Sequence, residues 1–248
     1  MQVLIRHSLP EKLVLPIGYH HILQAIIYQS LNPFFGYSRY IHETGIGEGE
    51  RRYKFFTFSL LQGKYEIRDR KIVFRDEVSF EIRSPDLFML KMAADNFSER
   101  GIRYGQQYYP DVDVFFSDSC VESSRIFIRM ISPLSVHSTD KETGRTHFYA
   151  PDEEDFAVMV SHNFIRKYTA CYGVVPSEGI EIRPLRVTEK DKYVTKYKNF
   201  YISGWMGDYE LTGKRKYLDF LYHTGLGSRN SQGFGMFDIK SREEIERI

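Results

Sequence analysis

Cysteine is scarce: Cys120 and Cys171 are the only two in 248 residues, with no CxxC spacing. That excludes a disulfide framework, leaves a structural zinc site without thiolates, and makes a reducing cytoplasm the plain setting. Long apolar runs are also lacking. None reaches the ~18 residues of a membrane span, and Met1–His7 has neither a long apolar stretch nor a small-residue cleavage site, so neither a membrane nor a secretory route is expected. No excess of one charge exists: 34 basic residues face 33 acidic ones, a net +1. A uniformly basic nucleic-acid coat is excluded, a local basic groove is not. No HExxH or H-x-E pattern occurs and the carboxylates are scattered, so neither a zinc hydrolase nor a two-metal nuclease is expected. The reading therefore calls for no metal and no cofactor. What the chain does have is 42% hydrophobic residues, including 18 Tyr and 19 Phe, enough for a sizeable core.

The elements read as one order given twice. Val3–Arg6 predicts a strand. Pro16-Ile17-Gly18 opens a helix to about Leu31 with Tyr19, Ile22, Leu23, Ile26 and Ile27 on its apolar stripe. Tyr28 lies opposite, beside His21 and Gln24. Tyr53–Leu60 is a strand of aromatic and β-branched type, with Lys54 on the face of Phe56 and Phe58. Gln62-Gly63-Lys64 reads as a turn before strands near 70–74 and 77–82. Ser84-Pro85 starts a helix with Leu87, Leu90, Ala94 and Phe97 on one face and Gly101 as its stop. A strand near 112–116 closes the first half. In the second half, Arg125–Met130 is a strand, Lys141–Gly144 a hairpin turn, and Asp152 the cap of a helix running to Gly173. Strands follow near 179–187 and 193–203, then a helix near 214–222 and a last strand near 234–239. This predicts an α+β chain of two tandem ferredoxin-like βαββαβ domains, 1–120 and 121–248.

The most distinctive segment is Gly225-Leu226-Gly227-Ser228-Arg229-Asn230-Ser231-Gln232-Gly233-Phe234-Gly235. Two GxG pairs, each with an apolar residue inside, flank five polar residues. It lacks the GK[ST] of a P-loop and follows its helix, so it is not a dinucleotide fingerprint. Two readings stay open: a helix-to-strand turn, or a loop that brings backbone amides and the side chains of Ser228, Arg229, Asn230, Ser231 and Gln232 to a phosphate. Basic residues cluster nearby, including Lys196, Lys198 and Lys216. Lys196 and Lys198 alternate with Tyr197 and Tyr201, in the manner of a base-stacking sheet or merely a wet strand face.

That glycine-rich segment resembles the signature loop of the CRISPR-associated repeat-processing endoribonucleases, the sixth Cas family, of the repeat-associated mysterious protein superfamily. The resemblance extends to Ile41-His42-Glu43-Thr44-Gly45 ahead of Phe55-Phe56-Thr57-Phe58-Ser59, to Ser132-Pro133-Leu134 and to Gly204-Trp205-Met206-Gly207. It implies a tandem ferredoxin-like fold and metal-independent cutting of CRISPR repeat RNA in precursor transcripts, the 2′-hydroxyl attacking the adjacent phosphate. The products would be a 2′,3′-cyclic phosphate, or the 3′-phosphate derived from it, and a 5′-hydroxyl. It also implies that Tyr28, His42 and Lys54 divide the roles of base, acid and cation, with the glycine-rich loop (Gly225, Gly227, Gly233 and Gly235 among it) on the RNA. Arg51 and Arg52 are substitutes for Lys54, and His21, with His20 beside it, is an alternative partner in proton transfer. The implied partners are repeat RNA, a CRISPR effector complex and a second copy of the chain. Two other readings remain: a non-catalytic subunit that holds repeat or guide RNA, and a scaffold in which the glycine segment is only a turn.

Overall fold

The computed structural model describes residues 1–31, 53–197 and 200–246. The first sheet is built on β1 (Gln2–Pro16) and β4 (Lys71–Arg83), antiparallel from Gln2↔Arg83 to Pro16↔Lys71. Alternation buries Val3, Ile5, Leu9, Leu13 and Leu15 on one face. The strand outruns the expected Val3–Arg6 because the register shifts between Leu9 and Leu13, a bulge that absorbs Pro10-Glu11-Lys12 without moving the apolar set to the wet face. β2 (Thr57–Phe58) and β7 (Asp113–Ser117) complete the order β2-β4-β1-β7. β3 (Gln62–Arg68) also pairs with β4, so Gln62-Gly63-Lys64 is strand and not turn. The turn is Asp69-Arg70, both at positive φ (49° and 61°), the backbone a two-residue hairpin favours. Helices α1 (His20–Ser30) and α2 (Leu87–Arg100) cover the sheet, and Leu23, Ile26, Ile27, Leu90, Ala94 and Phe97 share a core with Ile5, Phe74 and Phe80. α2 is capped by Asp86, whose carboxylate accepts from the Met89 amide at 3.1 Å, rather than by Ser84. Leu87 consequently falls at the exposed edge of its first turn. β5 (Ile102–Tyr104) and β6 (Gln107–Tyr109) form a hairpin before β7.

The second sheet repeats the topology with β8 (Arg125–Met130), β11 (Glu181–Arg186), β14 (Asp208–Thr212) and β15 (Phe237–Lys240), ordered β11-β14-β8-β15. Its helices are α3 (Asp155–Tyr172) and α4 (Arg215–Thr224). β9 (His137–Thr139) and β10 (Thr146–Phe148) form the hairpin expected around Lys141–Gly144. The single strand expected over 193–203 is a hairpin of β12 (Lys192–Tyr197) and β13 (Phe200–Trp205). Asp152 does not cap α3; Glu154 occupies that position, without a side-chain bond. A short α5 (Arg242–Glu246) follows β15.

The two halves are stitched by a buried arginine and by the segment that leads into β2. Arg83, 1% exposed, donates to the Phe237 carbonyl at 2.6 Å and to Asp238 at 3.0 Å across the junction, with Glu81 as its third partner. Its guanidinium lies 3.9 Å over the Tyr222 ring. A buried guanidinium is stable only when its donors and charge are met like this. Just ahead of β2, Phe56 enters the first core and Phe55 packs on the second, the Phe56 amide donating back to the Lys54 carbonyl at 2.7 Å.

Candidate active site between the two sheets

The glycine-rich segment fills the seam between the halves. Asn230 is its centre. Its amide donates to the Leu226 carbonyl at 2.8 Å and to the Phe234 carbonyl at 3.0 Å, tying the two GxG arms together. A Cβ on Gly225 or on Gly235 would come within 2.6 Å of that amide nitrogen, so those glycines are required by the close approach of Asn230. Leu226 and Phe234 are buried. The amides of Gly225, Leu226, Ser228, Gln232, Gly233 and Gly235 are all committed to protein carbonyls. Those six amides hold the turn to itself and to its neighbours, and the turn presents the side chains of Ser228, Arg229, Ser231 and Gln232 to the cleft.

The bed for this turn is Ser132–Ser135. The Pro133 carbonyl accepts from Gly235, and the Ser135 carbonyl accepts from Ser228 at 2.8 Å. Trp205 and Leu134 exchange backbone bonds at 2.8 and 2.9 Å, and a Cβ on Gly204 would meet Pro133 at 2.9 Å. The Ser132-Pro133-Leu134 and Gly204–Gly207 stretches therefore form one support. From the other half, Gln24 donates to the Ser231 carbonyl at 2.8 Å and Thr57 to the Phe234 carbonyl at 3.2 Å.

His20 is part of this support and is not in the cleft lining. Its Nδ1 donates to the Gln232 carbonyl at 3.2 Å, so in the neutral ring Nε2 accepts from the Tyr193 hydroxyl at 3.0 Å. Burial pushes its pKa down to about 4. A depressed histidine contributes stability that is complete above its unfolded value of about 6.5 and is lost as pH falls towards 4. We expect roughly 3 kcal/mol of stability from this group to disappear across that window. Thermal melts of the wild type and of His20→Gln should differ most above pH 6.5 and converge near pH 4; a constant difference would mean that the ring takes up its proton alike in both states and that burial does not depress it.

Beside the turn opens a cleft of about 940 Å³. α1 lines it with His21, Gln24, Tyr28 and Gln29, the approach to β2 with Tyr53 and Lys54, β9 with His137 and Thr139, and the turn with Gly227–Gln232. The Lys54 ammonium lies 5.2 Å over the Tyr28 ring, and that ring meets Phe56 edge-on at 5.9 Å. Lys54 is half-buried, and burial lowers its pKa. Arg229 sits at the rim at positive φ (63°), its guanidinium 5.5 Å over the Phe200 ring and donating to Gln232 at 3.3 Å. Among the described residues the lining carries Lys54, Arg166, Lys167 and Arg229 and no carboxylate. The positive groove permitted by a net charge of +1 is therefore here.

The structure thus brings together Tyr28, Lys54, Ser228, Arg229, Ser231 and Gln232. Gly225, Gly233 and Gly235 are buried beneath them, and Asn230, though it reaches the lining, is committed inside the turn. Lys196, on β12, is exposed outside the cleft lining, and Lys216, on α4, lies 5.2 Å over Tyr217. His42, Lys198, Arg51 and Arg52 lie outside the described residues. Asn163, Arg166 and Lys167 on α3 escaped the sequence reading. Their i, i+3, i+4 spacing, which puts them on one helix face, was the available signal.

A family model for "CRISPR associated protein Cas6, C-terminal" matches residues 117–239. The CRISPR-associated endoribonuclease Cas6 1 of Methanocaldococcus jannaschii is 27% identical over 238 residues, covering 90% of this chain and 86% of that protein. The CRISPR-associated endoribonuclease Cas6 of Pyrococcus furiosus is 28% identical over 124 residues, 48% of this chain and 46% of that protein. A solved structure described as a RAMP protein binding different RNA substrates superposes with a TM-score of 0.80 at 19% identity, over 97% of this chain and all of that one; that likeness is one of fold. Together with the glycine-rich turn and its Ser-Pro-Leu bed, these matches give residues 117–239 the Cas6 C-terminal family and make the chain similar over nearly its whole length to a curated CRISPR-associated endoribonuclease Cas6.

Proposed function

We propose that this chain is an endoribonuclease that cuts CRISPR repeat RNA in precursor transcripts without a metal ion. The observation that carries the reading is the placement of Tyr28 and Lys54, from separate elements, 5.2 Å apart in a cationic cleft opposite the glycine-rich turn. The 2′-oxygen of one nucleotide attacks the adjacent phosphorus, and its proton passes to a base. The bond from phosphorus to the 5′-oxygen breaks as an acid protonates that oxygen. A 2′,3′-cyclic phosphate and a 5′-hydroxyl result. The imidazole of His42 suits proton transfer. Tyr28 shares it or binds a phosphate oxygen, and Lys54 steadies the charge that grows on the phosphorane. Two-metal hydrolysis relies on carboxylate ligands, and the described lining offers none.

The reading treats residues 1–120 and 121–248 as the two domains, the cut falling in the short polar segment between β7 and β8. It places the protein in the cytoplasm, consistent with the free Cys120 and Cys171. The guide RNA then passes to a CRISPR effector complex. A second copy of the chain has a candidate seam along the edge strand β7, where Phe115 and Phe116 are exposed.

Single-turnover cleavage of a repeat RNA in EDTA tests the reaction. Cutting is expected to persist with the chelator and to stop when one 2′-deoxynucleotide is placed at the cut site. Loss of cutting in EDTA alone refutes the metal-free mechanism. Cutting of the deoxy substrate refutes internal attack, and tight binding without cutting of either RNA makes the chain an RNA-holding subunit.

A further inference from the structure

Lys167 is the strangest residue near the cleft. It lies on α3, in the half of the chain that carries neither Tyr28 nor Lys54, and is 2% exposed. Among the described residues no carboxylate pairs with it. Its ammonium donates instead to three neutral oxygens: the Thr224 carbonyl at 3.4 Å, the Gly225 carbonyl, and Asn230 Oδ1 at 2.9 Å. Three acceptors match the three N–H groups of the charged form, whereas a neutral amine has two.

Each oxygen has a reason to need a cation. The carbonyls of Thr224 and Gly225 close the C-terminal end of α4, where helix carbonyls lack intrahelical donors and the dipole is negative. Asn230 Oδ1 is the far side of the amide whose nitrogen ties Leu226 to Phe234. Lys167 thus fixes the orientation of that amide, because only with Oδ1 towards the ammonium does Nδ2 face both carbonyls. Burial lowers the Lys167 pKa to about 7; the oxygens at the helix end work the other way, towards the ammonium.

The residue before Asn230 is Arg229, one of four non-glycine residues with positive φ among those described. A left-handed backbone at a non-glycine residue is strained and persists only where its surroundings impose it. Held so, Arg229 presents its guanidinium over Phe200 at the cleft rim. We propose that Lys167 is a positioning residue that acts on RNA through Arg229: it locks Asn230, the lock holds Arg229 left-handed, and Arg229 meets the phosphate backbone. This rests on the RNA reading given above, but the lock itself does not.

Two measurements separate these layers. In the free protein, hydrogen exchange should show the amides of Gly225, Leu226, Gly233 and Gly235 exchanging at least tenfold faster in Lys167→Met, with the β1–β4 amides unchanged. Unchanged loop amides overturn the lock whatever the chain binds. With repeat RNA, Arg229→Ala and Lys167→Met should each raise Kd about tenfold and flatten the salt slope by about one unit, and the double variant should be no weaker than Arg229→Ala alone. Multiplied effects would mean that Lys167 touches RNA itself or supports the fold generally, and would refute action through Arg229. Lys167→Gln, which keeps two donors, should recover part of the protection and of the affinity. It carries the same cycle if Lys167→Met does not fold. A wild type that binds no repeat RNA refutes the RNA reading and the role of Arg229, and leaves the exchange result to decide the lock.

Discussion

Lys54→Ala should slow single-turnover cleavage of repeat RNA by about 10²–10³-fold, the usual loss when one preorganised donor to transition-state charge is removed. Affinity for the RNA should change only severalfold, because Arg229 and Arg166 remain in the cleft lining. The reason lies in where the ammonium sits. It is half out of water and over the Tyr28 ring, with Phe56 packed edge-on behind that ring, so its field on a nearby phosphate is less screened than that of a solvated lysine. The same burial gives a second signature. Since the Lys54 pKa is lowered, its charge is lost at a lower pH than an ordinary lysine's, and the rate should fall on the alkaline side accordingly. Lys54→Arg, whose guanidinium stays charged, should move that alkaline limb upward even where it lowers the maximum rate. A rate that is unchanged in Lys54→Ala, or an alkaline limb indifferent to Lys54→Arg, would remove Lys54 from the chemistry.

His42→Ala should cost about 10²–10⁴-fold in the same assay, the range for loss of a general acid or base, and leave Kd nearly unchanged. His42 lies outside the described residues, so this expectation stands on the sequence resemblance and on the chemistry of imidazole. The cleft supplies the competing answer. His21 is exposed on α1, its Nδ1 donating to the Gly18 carbonyl at 2.9 Å, and it lines the cleft with Tyr28. Full activity in His42→Ala combined with a loss in His21→Ala would transfer the proton-carrying role to His21. His20 is not a candidate. Its two nitrogens are committed to Gln232 and Tyr193.

The doubled ferredoxin-like order was legible because alternation and helix periodicity each left a clear trace, as in Ile126, Ile128 and Met130 or in Leu23, Ile26 and Ile27. What escaped had a physical disguise. β14, absent from the expected strands, is only five residues long and carries Asp208 and Glu210 at buried positions, charges that mask its alternation. In the sheet, Arg129 grips Asp208 at 2.7 and 2.9 Å, and Arg125 and Arg183 hold Glu210 near 2.9–3.0 Å, so neighbours that are remote in sequence neutralise them. The β12–β13 hairpin was merged into one strand because aromatic and basic residues run through its turn without a glycine or proline. At the site, the side of Tyr28 facing away from the α1 stripe was legible, and so was the odd company of Lys54. The purpose of the glycines was not. Their spacing suggested amides open to phosphate, whereas the room made by Gly225 and Gly235 is taken by Asn230, that at Gly227 by Ser135 and Leu134 and that at Gly233 by Phe58 and His20, and only the fold reveals that Lys167 completes the arrangement.

Phe55 and Phe56 have one more consequence. Adjacent residues feed opposite cores, and Lys54 precedes them by one position. Inserting or deleting a residue between Lys54 and Phe56 would break the bond from the Phe56 amide to the Lys54 carbonyl and move a ring out of its core or Lys54 away from Tyr28. That short stretch is therefore constrained in length as well as in letter, a reading frame written in side-chain direction.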